Sequence, residues 1–433
     1  MARFARHAVC SPLTLASSVG LDVLRDGGNA VDAAVATNLA LAVAYPHMCG
    51  VGGDLLAMVW ADGTLVGLNS SGRLPRAATL PADGIVPERG IGSATVPGAP
   101  AGWRALAERF GTRSLDALAA PAVRLAREGI VPATGLARMT GWFRGVLARD
   151  AEAERIFLAD GPLVQRDLAR TLADLDHFYD GPVVAAAPPP FTAADFAAHR
   201  AEWVEPRRET FADVAVCEMP PNSLGHLALA AIRRLEPLDG LDPDDSEFHL
   251  RLVRAVDAAR PLGDTIYLCV VDGRGMAVSL SQSLYMAFGS GVVVPGTGVL
   301  LHNRGAYNTP GTYRGGAQPL HTLSPAMALA GGLPRLVLGT MGGEAQIQIH
   351  LQLLARVLTA GQSVEEAIAA PRWLRTATTL LVEDGLPPLD EGGLRVLPMP
   401  IRDLAGHAHA IALTADGLAA ACDPRADGVP VGD

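Results

Sequence analysis

The residues best suited to covalent chemistry stand at the start of a predicted β-hairpin in the second half of the chain. Thr265 follows Gly263-Asp264 and opens a β-branched and aromatic segment over 265–272, and a second strand is predicted over 276–284. If the bond before it is cleaved, a threonine carries both a nucleophilic Oγ and an α-amino group able to accept the proton. Ordinary β-propensity also places threonine at strand starts, so the pattern alone leaves both interpretations open.

A second feature is a glycine pair at a predicted helix N-terminus. Gly342-Gly343 runs directly into a segment whose apolar stripe is Ile347, Leu351 and Leu354. The first N–H groups of a helix have no partner within it and attract anions, so such a pair is suited to oxyanion stabilisation. A simple turn is the alternative interpretation.

Composition and missing motifs exclude several other kinds of chemistry. All 35 basic residues of the 433 are arginine, which removes lysine nucleophiles, Schiff bases and phosphate-loop lysines. The net charge of −10 and the absence of an arginine cluster argue against a nucleic-acid partner. Neither a G-x-S-x-G elbow nor an H-E-x-x-H motif is present, and the five cysteines form no C-x-x-C pair. We therefore expect no metal, no cofactor and no disulfide framework.

Around these candidates, the hydrophobic pattern predicts helices in the first half and more strand in the second. Helices are predicted over 12–26 and from an Asn29 cap to about Tyr45, followed by a Gly-rich turn and a strand over 55–60. The region from about 103 to 200 is Ala-rich and helical in pattern. No linker or repeat marks a domain boundary.

The chain has no feature that predicts a membrane or secretory location. No apolar segment follows the charged N-terminal residues, and the most apolar run, 33–46, is shorter than the roughly 20 residues that span a bilayer. We expect a cytoplasmic protein without a membrane partner.

Short motifs spread over nearly the whole chain resemble the γ-glutamyltransferases (glutathione hydrolases). They stand in the order of that family and are Leu24-Arg25-Asp26-Gly27-Gly28-Asn29-Ala30-Val31-Asp32, Gly50-Val51-Gly52-Gly53, Val96-Pro97-Gly98, Pro121-Ala122-Val123-Arg124-Leu125-Ala126, Met219-Pro220-Pro221, Phe288-Gly289-Ser290-Gly291, Leu323-Ser324-Pro325, Met341-Gly342-Gly343 and Asp423-Pro424-Arg425-Ala426-Asp427-Gly428. The resemblance implies an α+β fold, the four-layer αββα sandwich of N-terminal-nucleophile hydrolases. It also implies a proenzyme that cuts itself before a threonine.

Carried over by position, the resemblance implies catalytic roles for four residues. Thr265 stands at the nucleophile position, and Asp264-Thr265 at the processing site. Ser283 matches a hydroxyl residue that steadies the nucleophile, and Gly342 and Gly343 match the oxyanion pair. Residues 1–264 would then form a large segment and 265–433 a small one, which stay associated after cleavage. Whether the pair forms a homodimer is left open.

The resemblance also implies a substrate-binding set, several of whose members depart from the family pattern. His321 and Thr322 replace two serines that hold the donor carboxylate, and Ser71 stands where the family has a carboxylate-binding Arg. Tyr307 stands in place of an amine-binding Asp, and Tyr285 in place of a donor-site Asn. The complete expected set is Ser71, Arg73, Tyr285, Arg304, Tyr307, His321 and Thr322.

The sequence thus predicts an amidase or acyltransferase that cleaves γ-glutamyl or related small acyl amides and passes the acyl group to water or an amine. Because the donor-site residues differ, two alternatives stay open: a glutaryl- or oxamate-type amidohydrolase, and a non-processing relative that acts as a binding protein. The segment before the nucleophile is also short, since residues 260–263 directly join a predicted helix to Asp264. Such a tether could strain the scissile bond or prevent processing.

Overall fold

The computed structural model describes residues 2–260 and 263–433, so Met1 and the tether residues Pro261 and Leu262 lie outside the described residues. The helices are α1 Thr14–Arg25, α2 Ala30–Ala44, α3 Ala99–Phe110, α4 Leu115–Glu128, α5 Thr134–Trp142, α6 Arg144–Leu147, α7 Ala151–Phe157, α8 Arg166–Leu172, α9 Pro182–Ala186, α10 Ala193–Ala198, α11 His226–Arg234, α12 Ser246–Ala255, α13 Gln346–Leu354 and α14 Val364–Ala369. The strands are β1 Ala2–Phe4, β2 Ala8–Cys10, β3 Asp54–Ala61, β4 Thr64–Ser70, β5 Glu202–Val204, β6 Arg207–Phe211, β7 Val214–Glu218, β8 Asp264–Val271, β9 Ala277–Tyr285, β10 Val293–Val294, β11 Val299–Leu300, β12 Ala326–Ala330, β13 Leu333–Thr340, β14 Trp373–Arg375, β15 Thr379–Val382, β16 Arg395–Pro398, β17 Ala408–Thr414, β18 Gly417–Cys422 and β19 Val431–Gly432. The chain is therefore an α+β protein, as predicted.

Two seven-stranded sheets form the centre of the molecule. Sheet I has the order β1-β18-β17-β13-β12-β7-β6, and sheet II has the order β19-β2-β8-β9-β3-β4-β5. The predicted hairpin is the antiparallel pair β8 and β9, and β9 continues into an antiparallel pairing with β3. Each sheet contains strands from both sides of the Asp264–Thr265 bond, so the two halves of the chain are interleaved.

Side chains alternate along the central strands between two apolar environments, as the pleat of a strand requires. In β8, Ile266 and Leu268 join a cluster with helices α1–α4, whereas Tyr267 and Cys269 join a cluster that contains β12, β13, β17 and β18 of sheet I. The opposite side of sheet I packs with α11–α14 in a third cluster. The second cluster therefore fills the space between the facing sheets.

The predicted helix signals in the first half of the chain are confirmed. Asn29 caps α2 by accepting from the amides of Val31 and Asp32, and the Asp32 carboxylate accepts from the Asn29 amide. Every residue of α2 is buried, as its apolar surface predicted. Within the described residues, no helix is both long and apolar enough to cross a bilayer.

Candidate active site

The site begins with a pair of hydroxyl groups at the end of the β8–β9 hairpin. Thr265, the second residue of β8, is 1% exposed, and its Oγ1 donates to the Ser283 Oγ at 3.2 Å. The Ser283 Oγ donates in turn to the carbonyl oxygen of Asp264 at 2.5 Å and accepts from the Tyr285 amide at 2.7 Å. Ser283 thus contacts both the Thr265 hydroxyl and the carbonyl of the peptide bond that precedes it.

Local backbone irregularity sets this geometry. The pairing of β8 with β9 shifts register between Asp264 and Ile266, so Thr265 lies in a bulge rather than in a regular pair. Tyr285, the last residue of β9, pairs with Asp264 and has a φ of 77°. This left-handed conformation is costly for a non-glycine residue and is often found at functional sites.

The glycine pair lies against the backbone that leads to Thr265. A Cβ added to Gly263 would stand 3.1 Å from the Cα of Gly343, so the two chain segments are in close contact. Gly342 and Gly343 have φ values of 135° and 58°, which favour glycine. The predicted direct entry into a helix was wrong in detail, because a 3₁₀ turn over Gly343–Ala345 comes before α13.

A cavity of about 350 Å³ opens beside the peptide bond before Thr265. Gly263, Asp264, Met286 and Gly342 line it together with mainly apolar side chains. Burial raises the pKa of the Asp264 carboxyl to about 6.

The expected substrate-binding residues Tyr285, Arg304, Tyr307 and Thr322 form one cluster. The guanidinium carbon of Arg304 lies 3.8 Å from the Tyr285 ring centroid and 5.1 Å from that of Tyr307. Arg304 is 1% exposed, and its Nη2 donates to the Thr322 hydroxyl at 3.2 Å. Because Tyr285 also bonds Ser283 through its amide, this cluster is joined directly to the hydroxyl pair.

His321 continues the cluster to a carboxylate that was missed from the sequence. The His321 Nε2 donates to the Asp54 carboxylate at 3.2 Å, and its Nδ1 accepts from the Leu323 amide. Burial, followed by the charge of Arg304, lowers the pKa of His321 to about 4. The only sequence signal for Asp54 was a carboxylate at the start of an otherwise apolar strand.

Asp54 is fully buried and lies opposite Ser283 in the pairing of β3 with β9. Burial alone would raise the pKa of its carboxyl, but the imidazoles of His302 and His321 and the amide of Gly72 outweigh burial and lower it. Asp54 is therefore a carboxylate held in a polar network beside the hydroxyl pair.

A second group missed from the sequence joins the tether to the glycine turn. Both Glu344 carboxylate oxygens accept from Arg260, one from the backbone amide at 2.7 Å and the other from Nε at 2.8 Å. The Tyr307 hydroxyl donates to the same carboxylate at 2.6 Å. We call Arg260 and Glu344 the tether clasp, because Arg260 is the first residue of the tether 260–263.

Ser71 and Arg73 line a second cavity of about 200 Å³, and the amide of Gly72 between them donates to the Asp54 carboxylate. The Ser71 hydroxyl donates to the Asn69 side chain at 2.8 Å and accepts from Gln318 at 3.0 Å. Arg73 is exposed, and its Nη1 donates to the carbonyl of Gly316. Across the described residues, no group of three or more His, Cys, Asp or Glu side chains is arranged to hold a metal ion.

The α+β fold that carries this site is shared with known acylases. The structure of cephalosporin acylase from Bacillus halodurans is similar over 100% of this chain and 96% of that one, with a TM-score of 0.92 and 29% sequence identity. The model of the gamma-glutamyltranspeptidase family matches residues 16–260 and 241–432. The chain belongs to the gamma-glutamyltranspeptidase family and is an enzyme, a hydrolase or acyltransferase of that type.

Two full-length relatives differ in what their names say they act on. The glutathione hydrolase-like YwrD proenzyme of Bacillus subtilis is 32% identical over 99% of this chain and 98% of its own length. The oxamate amidohydrolase proenzyme of Klebsiella pneumoniae is 31% identical over 98% of this chain and 97% of its own. Both alignments extend over 516 positions, at least 83 more than the 433 residues here (516 minus 433), so both relatives contain segments that this chain lacks.

Proposed function

We propose that this chain is the proenzyme of an N-terminal-nucleophile amidase with the four-layer αββα arrangement, which cleaves itself between Asp264 and Thr265. The observation that carries the proposal is the position of the Ser283 Oγ, 3.2 Å from the Thr265 Oγ1 and 2.5 Å from the Asp264 carbonyl oxygen. The Ser283 hydroxyl would therefore orient the Thr265 nucleophile and also polarise the Asp264 carbonyl that Thr265 attacks.

Self-cleavage follows from that geometry in two steps. The Thr265 Oγ1 attacks the carbonyl carbon of Asp264, the C–N bond breaks, and the hydroxyl proton ends on the freed amine, which leaves an ester. Water then hydrolyses the ester. The products are a new C-terminal α-carboxylate on Asp264 and a Thr265 with a free hydroxyl and a free α-amino group. That amine, with a pKa near 8 in the absence of other influences, is the base for turnover.

In turnover, the Thr265 Oγ attacks the carbonyl carbon of the substrate amide while its α-amino group takes the proton. Gly342 and Gly343 stabilise the oxyanion through their N–H groups, and the proton passes to the departing amine. Water or another amine then releases the acyl group from Thr265. The acyl donor is a γ-glutamyl or related small acyl amide, in keeping with relatives named as glutathione hydrolase-like and oxamate amidohydrolase proenzymes.

Residues 1–264 and 265–433 are proposed to remain together after cleavage. Sheet II supports this proposal, since β2, β3, β4 and β5 come from the first segment whereas β8, β9 and β19 come from the second. Separating the segments would break the β2–β8 and β3–β9 pairings and expose the apolar clusters around them.

The test is denaturing electrophoresis and intact mass of the purified chain, beside Thr265→Ala and Thr265→Ser. We expect fragments of 264 and 169 residues (433 minus 264) from the parent chain, a single uncut chain from Thr265→Ala, and slow cleavage from Thr265→Ser. Fragments should accompany hydrolysis of a panel of acyl p-nitroanilides. An uncut parent chain without amidase activity would overturn the proposal and favour a binding protein. A Thr265→Ala chain as active as the parent would overturn the assignment of Thr265 as the nucleophile.

A further inference from the structure

Arg304 is a buried cation that contacts no carboxylate of the described residues directly. Its Nη1 and Nη2 donate to the Leu320 carbonyl and the Thr322 hydroxyl, both at 3.2 Å, and its buried Nε has no hydrogen-bond partner in the part of the chain that the structure describes. Among residues 2–260 and 263–433, no carboxylate oxygen lies within 4.0 Å of its nitrogens. A guanidinium held away from water in this way is stabilised when an anion binds to it.

The two nearby carboxylates are already bonded to other groups. Asp54 accepts from the Gly72 amide through Oδ1 and from His321 through Oδ2. Glu344 uses both oxygens in the tether clasp and also accepts from Tyr307. The guanidinium carbon of Arg260 lies 4.7 Å from the Tyr307 ring centroid and that of Arg304 lies 5.1 Å from it, so two cations flank this ring.

We propose that Arg304 binds a free carboxylate of the acyl group, so that the donors are monoamides of small dicarboxylic acids that lack an α-ammonium group. This rests on the proposed amidase function and narrows its substrate. A bidentate carboxylate would satisfy the free guanidinium N–H groups. A γ-glutamyl donor would bring an ammonium group toward two arginines, while the nearby carboxylates of Asp54 and Glu344 already accept from other groups.

A short series of contacts links Arg304 to the proposed nucleophile. Its guanidinium stacks on the Tyr285 ring, the Tyr285 amide donates to the Ser283 Oγ, and that oxygen accepts from Thr265. In the proposed complex, the acyl group attached to Thr265 extends past Tyr285 with its far end toward Arg304. The substrate panel below determines which length of acyl chain is preferred.

The experiment measures kcat/KM of the processed enzyme for p-nitroanilides of oxalic, malonic, succinic and glutaric acids, for γ-glutamyl p-nitroanilide, and for the methyl ester of the best carboxyacyl substrate. We expect the best carboxyacyl amide to exceed both its methyl ester and the γ-glutamyl amide by about ten-fold or more. Arg304→Gln should reduce kcat/KM for the carboxyacyl amide by about fifty-fold and for the methyl ester by less than about three-fold. Arg304→Lys should recover part of the loss, and the exposed Arg335→Gln is the matched control.

Preference for γ-glutamyl amide, or equal losses for the charged and neutral substrates in Arg304→Gln, would overturn this assignment while leaving the amidase intact. Failure of the parent chain to process or to hydrolyse any amide would instead refute the underlying function. Electrophoresis of each variant shows that processing is complete. Calorimetry gives a readout without turnover, with L-glutamate and the dicarboxylate that matches the best substrate as ligands of the processed enzymes. Only the parent enzyme should bind this dicarboxylate, and more tightly than it binds L-glutamate, whereas Arg304→Gln should not bind it.

Discussion

At the scale of single residues, one serine hydroxyl joins the groups that self-cleavage requires. The Ser283 Oγ is an acceptor for Thr265 and for the Tyr285 amide and a donor to the Asp264 carbonyl, so its single proton is committed to the scissile bond. Ser283, the serine expected from the family resemblance, therefore contacts both groups that would react in the proposed self-cleavage.

We predict that Ser283→Ala slows self-cleavage by about a hundred-fold, because a donor to the carbonyl under attack and an acceptor for the nucleophile are both lost. The rate is measured by electrophoresis after rapid purification. Ser281→Ala is the matched control: Ser281 lies two residues earlier on the same side of β9, is buried, and has an Oγ without a hydrogen-bond partner among residues 2–260 and 263–433. A Ser283→Ala chain that matures as fast as Ser281→Ala would contradict the role.

At the scale of elements, the tether clasp joins the chain beyond α12 to the turn before α13. The Arg260 side chain is 60% exposed, so this ion pair contributes little to folding stability. Its position five residues before Thr265 is what matters, because the clasp limits the movement of the chain before Asp264 and so would hold the Asp264 carbonyl close to the proposed nucleophile.

Glu344→Ala is therefore expected to slow self-cleavage by about ten-fold while changing the free energy of unfolding by less than about 1 kcal/mol. The free energy of unfolding is measured by chemical denaturation of each variant in the Thr265→Ala background, which is expected to stay uncut, so that differences in processing do not affect it. Glu391→Ala is the control, since it removes a comparable ion pair of Arg254 on α12. If both variants mature at the parent rate, the clasp is only a surface ion pair.

At the scale of the whole molecule, several histidines are buried in their neutral form. Burial lowers the pKa of His47 to about 3 and that of His199, His249 and His321 to about 4. In the unfolded chain these imidazoles titrate near 6.5, so between pH 6.5 and about 4 the unfolded state binds more protons than the folded state. Stability from these groups is complete above pH 6.5 and is lost as the pH falls toward 4.

Asp264 acts in the opposite direction in the uncut chain. Because burial raises its pKa to about 6, the folded state binds more protons than the unfolded state between pH 6 and about 4. One carboxyl group offsets only part of the loss from four histidines.

We predict that the free energy of unfolding of uncut Thr265→Ala falls by about 4 kcal/mol or more between pH 7 and pH 5, measured by urea denaturation. His47→Leu should reduce this difference by about 2 kcal/mol, since both ring nitrogens of His47 are buried and find no hydrogen-bond partner within the described chain. The exposed His177→Leu should not reduce it, because Asp174 raises the pKa of His177. Stability that is flat or rising toward pH 5 would contradict neutral burial.

The sequence by itself determined the features that depend on near neighbours along the chain or on ordered motifs. The Asn29 cap, the apolar helix α2 and the β8–β9 hairpin were all predicted, because caps, helical stripes and strand alternation repeat within a few residues. The motifs also identified the family correctly, with Thr265 as the candidate nucleophile.

Only the tertiary structure decided what surrounds that threonine. Asp54 meets His321 across 267 positions of sequence, and Arg260 meets Glu344 across 84. That the Arg304 Nε finds no hydrogen-bond partner among the described residues likewise depends on every side chain packed around it. No local period or propensity encodes such contacts, because they are set by how the two sheets and their helices pack together.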